Sequence, residues 1–343
     1  MPTVTERIQE INQPYGGILP LYLFESIQFE DNLYISDLNE NIHSSRIGTT
    51  VDYLTRFMLT GDLKTSFQIS LLGASIANQA ETAEKLLKKI KGLDDKSIQA
   101  ACSLTGYDVF YRDVIYTLTT PNYSQLFLKE KINTTTKRNI RTMVERSLSL
   151  FDTYGPVLMT GFTFDNGYSE TITAADADFL TEKALFDFKT TKKKHPSSKD
   201  TLQLLIYYVM GCKSIHSELF KKLPYIAIFN PRYNQIFRLP TQLISKETIQ
   251  EIENNIICYG KTRNEVMRDN HYKQRQKIKD GKMLDSRETC EFLMIPMRCL
   301  SALNSSGKLH PIKQGAKNYY KAEELKEYYL NNICRKNIKR NNS

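Results

Sequence analysis

A chain of 343 residues, 41% hydrophobic and 25% charged, is ordinary for a soluble globular protein and long enough for two domains with separate cores. No run approaches the roughly 18 uncharged apolar residues of a membrane span, and MPTVTERIQEINQPYGG lacks the form of a signal peptide, so a cytoplasmic protein with no membrane partner is expected. The net charge of +9 is uneven: Lys261 to Ser343 carries 19 Lys or Arg against 9 Asp or Glu, whereas the first 260 residues carry 28 against 29, which points to a polyanion partner for the C-terminal quarter.

In chain order, GGILPLYLF reads as a short strand or a packed arm. RIGTTVDYLTRFML then puts Ile47, Val51, Leu54 and Met58 on one helical stripe. ETAEKLLKKIKGL and DDKSIQAACSL read as further helices, the second with Asp94 or Asp95 as its N-cap. Lys131 to Phe151 forms another amphipathic helix. After Gly155 the texture turns to short β-branched and aromatic runs: VLMTGFTF, ETITAADADFL and ALFDFKTT. The helix DTLQLLIYYVMG follows, with Gly211 as its stop, and then two strands around Asn230-Pro231-Arg232. This order implies an α/β fold with a mixed sheet flanked by helices. Residues 246–282 read as a charged, solvated helical linker. The six cysteines stand far apart with no C-x-x-C pair, which argues against a zinc ribbon and against disulfides in a reducing compartment.

The candidate chemistry lies on two neighbouring strands. Asp176 and Asp178 share one strand face, and Asp187 and Lys189 share a face on the next, interleaved with Phe186 and Phe188. A carboxylate from each strand beside a lysine suits a hard divalent cation and phosphodiester hydrolysis. On the following helix, Gln203 and Tyr207 at i, i+4 share a face.

Together these residues resemble the RecB-like branch of the PD-(D/E)XK nucleases. Asp178 matches the aspartate of the G-x-x-D strand (with Ala175 where that family carries glycine), Asp187-Phe188-Lys189 matches D-[YF]-K, and Gln203 with Tyr207 matches Q-x-x-x-Y. The resemblance implies a restriction-endonuclease-like core. It implies catalytic roles for Asp178, Asp187, Lys189, Gln203 and Tyr207, and Mg²⁺ or Mn²⁺ bound by Asp178, Asp187 and the Phe188 backbone carbonyl. For a third acid, Gly48-Thr-Thr-Val-Asp52 resembles the G-x-x-[VI]-H helix and places Asp52 where a metal-binding histidine often sits; Glu145 is the rival. His195 follows the site in a basic loop read as mobile. The cysteine cluster of some RecB-like nucleases is absent.

MLDSRETCEFLMIPMRCLSALNSSGKLHPIKQGAKNYYKAEELKEYYL reads as a helix capped by Ser286, a turn, a second helix, a hairpin and a last helix. It resembles the excisionase and MerR-like winged helix-turn-helix module. That resemblance makes Arg298 and Ser301 groove-facing candidates and Lys308, Lys313 and Lys317 phosphate contacts. The expected organisation is a helical region over 1–130, the nuclease core over 131–245, the linker over 246–282, the DNA-binding module over 283–333 and a basic tail over 334–343. DNA is the expected partner, in phage defence or mobile-element biology, with a homodimer allowed. The competing readings are a non-catalytic DNA-binding regulator on a nuclease fold, and an RNA-cleaving nuclease.

Overall fold

Two-residue alternation in the strands between residues 157 and 240 decides the architecture. The computed structural model describes residues 2–36, 38–112, 127–267, 269 and 278–334. The chain divides into two compact units, Met1–Gly260 and Lys261–Ser343. Of the sequence-based expectations, residues 113–126 of the helical region, 268 and 270–277 of the linker and 335–343 of the tail lie outside the described residues.

The helices of the first unit are α1 (Val4–Gln9), α2 (Ser44–Thr60), α3 (Leu63–Ser66), α4 (Gln68–Ile76), α5 (Ala80–Leu87), α6 (Asp95–Thr105), α7 (Asp108–Arg112), α8 (Thr134–Tyr154), α9 (Ser198–Lys213), α10 (Ser217–Phe220) and α11 (Lys246–Glu251). Its strands are β1 (Glu25–Gln28), β2 (Val157–Thr163), β3 (Asp176–Thr181), β4 (Ala184–Phe188), β5 (Tyr225–Asn230) and β6 (Gln235–Pro240). They form a mixed sheet in the order β1-β6-β5-β4-β3-β2. Among the described strand pairs of this sheet only β4–β5 is parallel; a parallel neighbour needs a crossover, and α9 supplies it. The fold is therefore α/β with helices on both sheet faces.

Both faces of the central strands β3 to β6 are buried, so each of these strands sorts its side chains into two layers. Phe179, Phe186, Ala227, Phe229 and Ile236 pack with Leu150, Phe151 and Tyr154 of α8. Leu180, Leu185, Ile226, Ile228 and Phe237 pack with Leu202, Leu205 and Ile206 of α9. Each such side chain contributes about 1.5–3 kcal/mol when fully buried. A one-residue slip of β3 and β4 would drive Asp178 and Asp187 into the apolar α8 layer, so the register is strongly specified.

Several local expectations change. The strand near the N-terminus is Glu25–Gln28, pairing with β6, and not GGILPLYLF. The α2 stripe buries Ile47, Val51 and Leu54, but Met58 is 40% exposed because the last turn runs past the packed layer. Asp94 is the N-cap of α6, accepting from Lys96 N and Ser97 N. Gly211 does not stop α9, which runs to Lys213; its missing side chain makes room for the Phe220 ring, 2.1 Å from where a Cβ would stand. The linker expected from residue 246 starts later. Ile252, Ile256 and Ile257 are buried in the α9-side core, and Arg7 Nε donates to Ile256 O at 2.8 Å.

The second unit has its own core around Leu284, Phe292, Leu293, Leu300, Leu309, Tyr320 and Leu325. It comprises β7 (Met283–Asp285), α12 (Ser286–Leu293), α13 (Met297–Ser305), β8 (Ile312–Gln314), β9 (Lys317–Lys321) and α14 (Ala322–Tyr328), with sheet order β7-β9-β8. Asp285, not Ser286, caps α12: its carboxylate accepts from Arg287 N and Glu288 N, while Glu288 reaches back to the Asp285 N–H. A carboxylate at the positive end of the helix outcompetes the neighbouring hydroxyl.

Candidate active site

The β3–β4 ladder pairs Phe179 with Phe186 and Leu180 with Leu185. One step further in that register Asp178 stands opposite Asp187, and there the backbone ladder ends. The Phe188 N–H donates to Asp178 Oδ2 at 2.7 Å, while the Lys189 N–H turns to Phe229 O of β5 at 2.9 Å. A side-chain carboxylate thus takes the place of a ladder bond. N–H and C=O of one strand residue point the same way, so the Phe188 carbonyl also faces the Asp178 side. Both acids lie on the α9 side of the sheet, at the carboxyl end of the strand that feeds the crossover helix, where ligand sites of α/β sheets collect.

From Asp187 a continuous polar chain runs onto α9. Lys189 Nζ is 2.6 Å from Asp187 Oδ2 and donates to Gln203 Oε1 at 3.0 Å; Gln203 Nε2 donates to the Tyr207 hydroxyl at 2.7 Å. The i, i+4 spacing brings Gln203 and Tyr207 together, and Tyr207 stacks on Phe164 with centroids 5.3 Å apart. The lysine is held between an acid and an amide, with little freedom left to its four-carbon stem.

The third wall is α2, which places Gly48, Asp52 and Arg56 on one face at i, i+4, i+8. Gly48 lets the helix approach the loop after β4: a Cβ there would lie 2.7 Å from Thr190 Oγ1. One turn on, Asp52 enters the pocket. Arg56 clasps it, Nε to Oδ1 at 2.8 Å and Nη2 to Oδ2 at 2.6 Å, and Nη2 also stands 3.7 Å from Asp178 Oδ1. Of the two rival acids, the fold brings Asp52 to Asp178, whereas Glu145 is exposed on α8. Its neighbour Arg146 is the buried one, paired with Asp31 at 2.5 Å and donating to Pro231 O, Arg232 O and Leu33 O.

Burial dominates the electrostatics. It pushes the carboxyls of Asp52 and Asp187 each up to about 7, against the pull of Arg56 and of Lys189 respectively, and it raises Asp178 as well. Asp187 Oδ2 is fully buried, and apart from the Lys189 ammonium it has no hydrogen bond of acceptable geometry. Asp176 is exposed on the β3 face it shares with Asp178. Such a pocket favours cations, and its donors are all oxygen, which fits Mg²⁺ or Mn²⁺ at Asp178, Asp187 and the Phe188 carbonyl. Among the described residues no group of three His, Cys, Asp or Glu side chains makes a metal cage unaided, so water and substrate oxygens would complete the shell.

A pH dependence follows. Folded carboxyls near 7 against an ordinary 3.8 cost stability that appears as pH rises from about 4 to about 7. In EDTA these acids therefore make the protein less stable at about pH 8 than at about pH 5.5. Mg²⁺, which competes with protons, should raise the melting temperature more at about pH 8 than at about pH 5.5. A shift of equal size at both pH values would contradict this.

The loop after Lys189 is anchored, correcting the expectation of mobility. Four successive carbonyls are tied to the β5–β6 turn: Thr190 O by Arg232 Nε (3.1 Å), Thr191 O and Lys193 O by Asn230 Nδ2 (2.9 and 3.3 Å), and Lys192 O by the Tyr233 hydroxyl (2.6 Å). Arg232 is itself held by Glu40, Nη1 to Oε1 at 2.8 Å and Nη2 to Oε2 at 3.3 Å, with both side chains buried. His195 is exposed, its ring edge-on to Phe237.

In the second unit Arg298 and Ser301 are exposed on α13, and Lys308, Lys313 and Lys317 are exposed around the β8–β9 hairpin. The Ser301 hydroxyl bonds back to Met297 O at 3.2 Å. Among the described residues no helix is long and apolar enough to cross a membrane.

No protein-family model, no curated protein and no solved structure matches the chain. Sequence reasoning passed over Arg56 and Glu40. Arg56 carried one usable signal, its i+4 spacing from Asp52. Glu40 carried none, since its partner is 192 residues away.

Proposed function

We propose that the protein is a Mg²⁺- or Mn²⁺-dependent nuclease of the PD-(D/E)XK kind that hydrolyses phosphodiester bonds in DNA. The observation that carries this reading is the single connected network Asp187–Lys189–Gln203–Tyr207 with Asp178 across the split ladder. Residues named from three separate motifs meet at one strand end, an unneeded coincidence for an exposed charged face.

A bound divalent ion would supply Lewis acidity and a more acidic water. The chain's own contribution is positional. Asp178 and Asp187 orient oxygens into the pocket, and the Phe188 N–H holds the Asp178 carboxylate in place. Lys189 offers a fixed positive charge to the nucleophile and to negative charge growing on the phosphate, where preorganised charge counts most. Gln203 keeps the ammonium from folding back entirely onto Asp187, and Tyr207 fixes the amide of Gln203.

DNA is favoured over RNA by the second unit, whose two helices and basic hairpin have the order of a winged helix-turn-helix. Its exposed Arg298 and Ser301 suit base edges, and Lys308, Lys313 and Lys317 suit phosphates. The deciding experiment incubates the purified chain with matched DNA and RNA oligonucleotides in Mg²⁺ and in EDTA. Mg²⁺-dependent DNA cleavage is expected. Cleavage of RNA alone would transfer the reading to RNA, and binding without cleavage would make the chain a DNA-binding factor. For the hairpin, Lys313→Ala with Lys317→Ala should weaken DNA binding evenly across sequences and flatten the slope of log K against log salt by about 2. An unchanged slope in a mobility-shift titration would remove those two lysines from the interface.

A further inference from the structure

We propose that Arg56 occupies the second cation position of the acidic pocket, so that the pocket loads one divalent ion and not two. Two-ion phosphodiesterase sites place their ions roughly 3.5–4 Å apart and share carboxylates between them. Here a guanidinium does the sharing: its Nη2 lies 2.6 Å from Asp52 Oδ2 of α2 and 3.7 Å from Asp178 Oδ1 of β3. Nε takes the other Asp52 oxygen at 2.8 Å. Both Asp52 oxygens are thereby engaged by the guanidinium at hydrogen-bond distance, which leaves Asp178 and Asp187 as the acids for an ion.

Three features distinguish this arginine from a surface residue that has fallen onto an acid. Its side chain is 13% exposed. It lies over the rings of Tyr53 and Phe179, at 5.6 and 6.0 Å from their centroids. Strand β2 carries Gly161 opposite it, where a Cβ would stand 1.9 Å from Nη1 and the backbone sits at φ +53°. A site shaped around the guanidinium on two sides is a built position.

Charge counting agrees with one ion. With all three buried carboxyls ionised, Asp52, Asp178 and Asp187 face Arg56 and Lys189, a net of one negative charge, and Asp176 stands exposed beside them. One divalent ion and the scissile phosphate bring this to zero, whereas a second ion would leave two uncompensated positive charges in a place of low dielectric. A guanidinium keeps its charge at any working pH, so the position does not empty by titration.

This inference rests on the reading of the pocket as a divalent-ion site, and one experiment separates the two. Mn²⁺ is titrated into the full chain, and bound ion is counted from the loss of the free Mn²⁺ electron paramagnetic resonance signal. Wild type should bind one Mn²⁺, as should Arg56→Lys, which keeps the charge. Arg56→Gln and Arg56→Ala should each bind two, and Asp187→Asn should lose the wild-type ion. A single ion in Arg56→Gln and Arg56→Ala, even if held more tightly, would mean that Arg56 only competes with the metal, and two ions in wild type would also overturn the proposal. No Mn²⁺ uptake by wild type would remove the metal pocket itself. Melting curves of each variant establish that the counted protein is folded.

Discussion

Lys189→Met is expected to lower Mg²⁺-dependent DNA cleavage by roughly 10³-fold while leaving Mn²⁺ uptake in place, the usual scale for deleting one preorganised charge at a reacting centre. Methionine keeps the length and bulk of the stem but offers Asp187 Oδ2 and Gln203 Oε1 no ammonium, and these are the two atoms that now hold it at 2.6 and 3.0 Å. Asp187→Asn should abolish cleavage and ion uptake together, because the pocket loses charge as well as a ligand. Tyr207→Phe acts at one remove, through the Gln203 amide, and should cost about tenfold or less. Single-turnover cleavage with metal binding measured in parallel checks the series. Equal cleavage by wild type and Lys189→Met would refute the catalytic reading of this lysine.

The largest effect on stability is expected from the Glu40–Arg232 pair. The two side chains are 2% and 3% exposed, bidentate, and joined by Asn139 Nδ2 at 3.0 Å from Glu40 Oε1. Glu40→Ala leaves the guanidinium buried without its counter-charge, which costs about 3–5 kcal/mol. Domains of this size hold only about 5–15 kcal/mol in total, so the variant should sit near the edge of unfolding at physiological temperature. Removing both charges, as in Glu40→Ala with Arg232→Met, should recover much of the loss, since a removed pair leaves nothing unpaired. Urea unfolding followed by circular dichroism measures both. A loss below about 1 kcal/mol in Glu40→Ala would show the pair to be solvated and of little weight. Because Arg232 also holds Thr190 O at 3.1 Å, the single variant should loosen the backbone beside Lys189 and slow cleavage out of proportion to its unfolded fraction.

Part of this protein is legible without any coordinates. Two-residue alternation marks β3 and β4, so Asp178 shares a strand face with Asp176, and Asp187 with Lys189, as a matter of pleat geometry. The i, i+4 rule pairs Gln203 with Tyr207, and Asp94 announces the start of α6 through its side-chain oxygen. Each of these is a local relation, settled within a few residues by backbone geometry. The same locality misled where two local signals competed. Gly211 reads as a helix stop, but the Phe220 ring needs the space its side chain would fill. Ser286 reads as a cap, but the adjacent Asp285 carries the charge that a helix N-terminus favours.

What only tertiary structure decided is which distant charges meet. The choice of Asp52 over Glu145 depends on α2 lying close over the end of β4, which Gly48 permits by its missing side chain against Thr190. The clasp of Arg56 depends on the same placement and on Gly161 of β2. The anchored loop from Thr190 to Lys193 depends on Glu40, Asn230, Arg232 and Tyr233, three of them in the neighbouring β5–β6 turn and one about 150 residues earlier in the chain. Periodicity determines which face a side chain takes; only packing brings faces together, and a buried charge is tolerated only where packing has already delivered its partner. The cluster of Asp178, Asp187 and Lys189 was therefore readable as a set of residues, while the Asp52–Arg56 pair beside it and the anchoring of its following loop were properties of the folded chain.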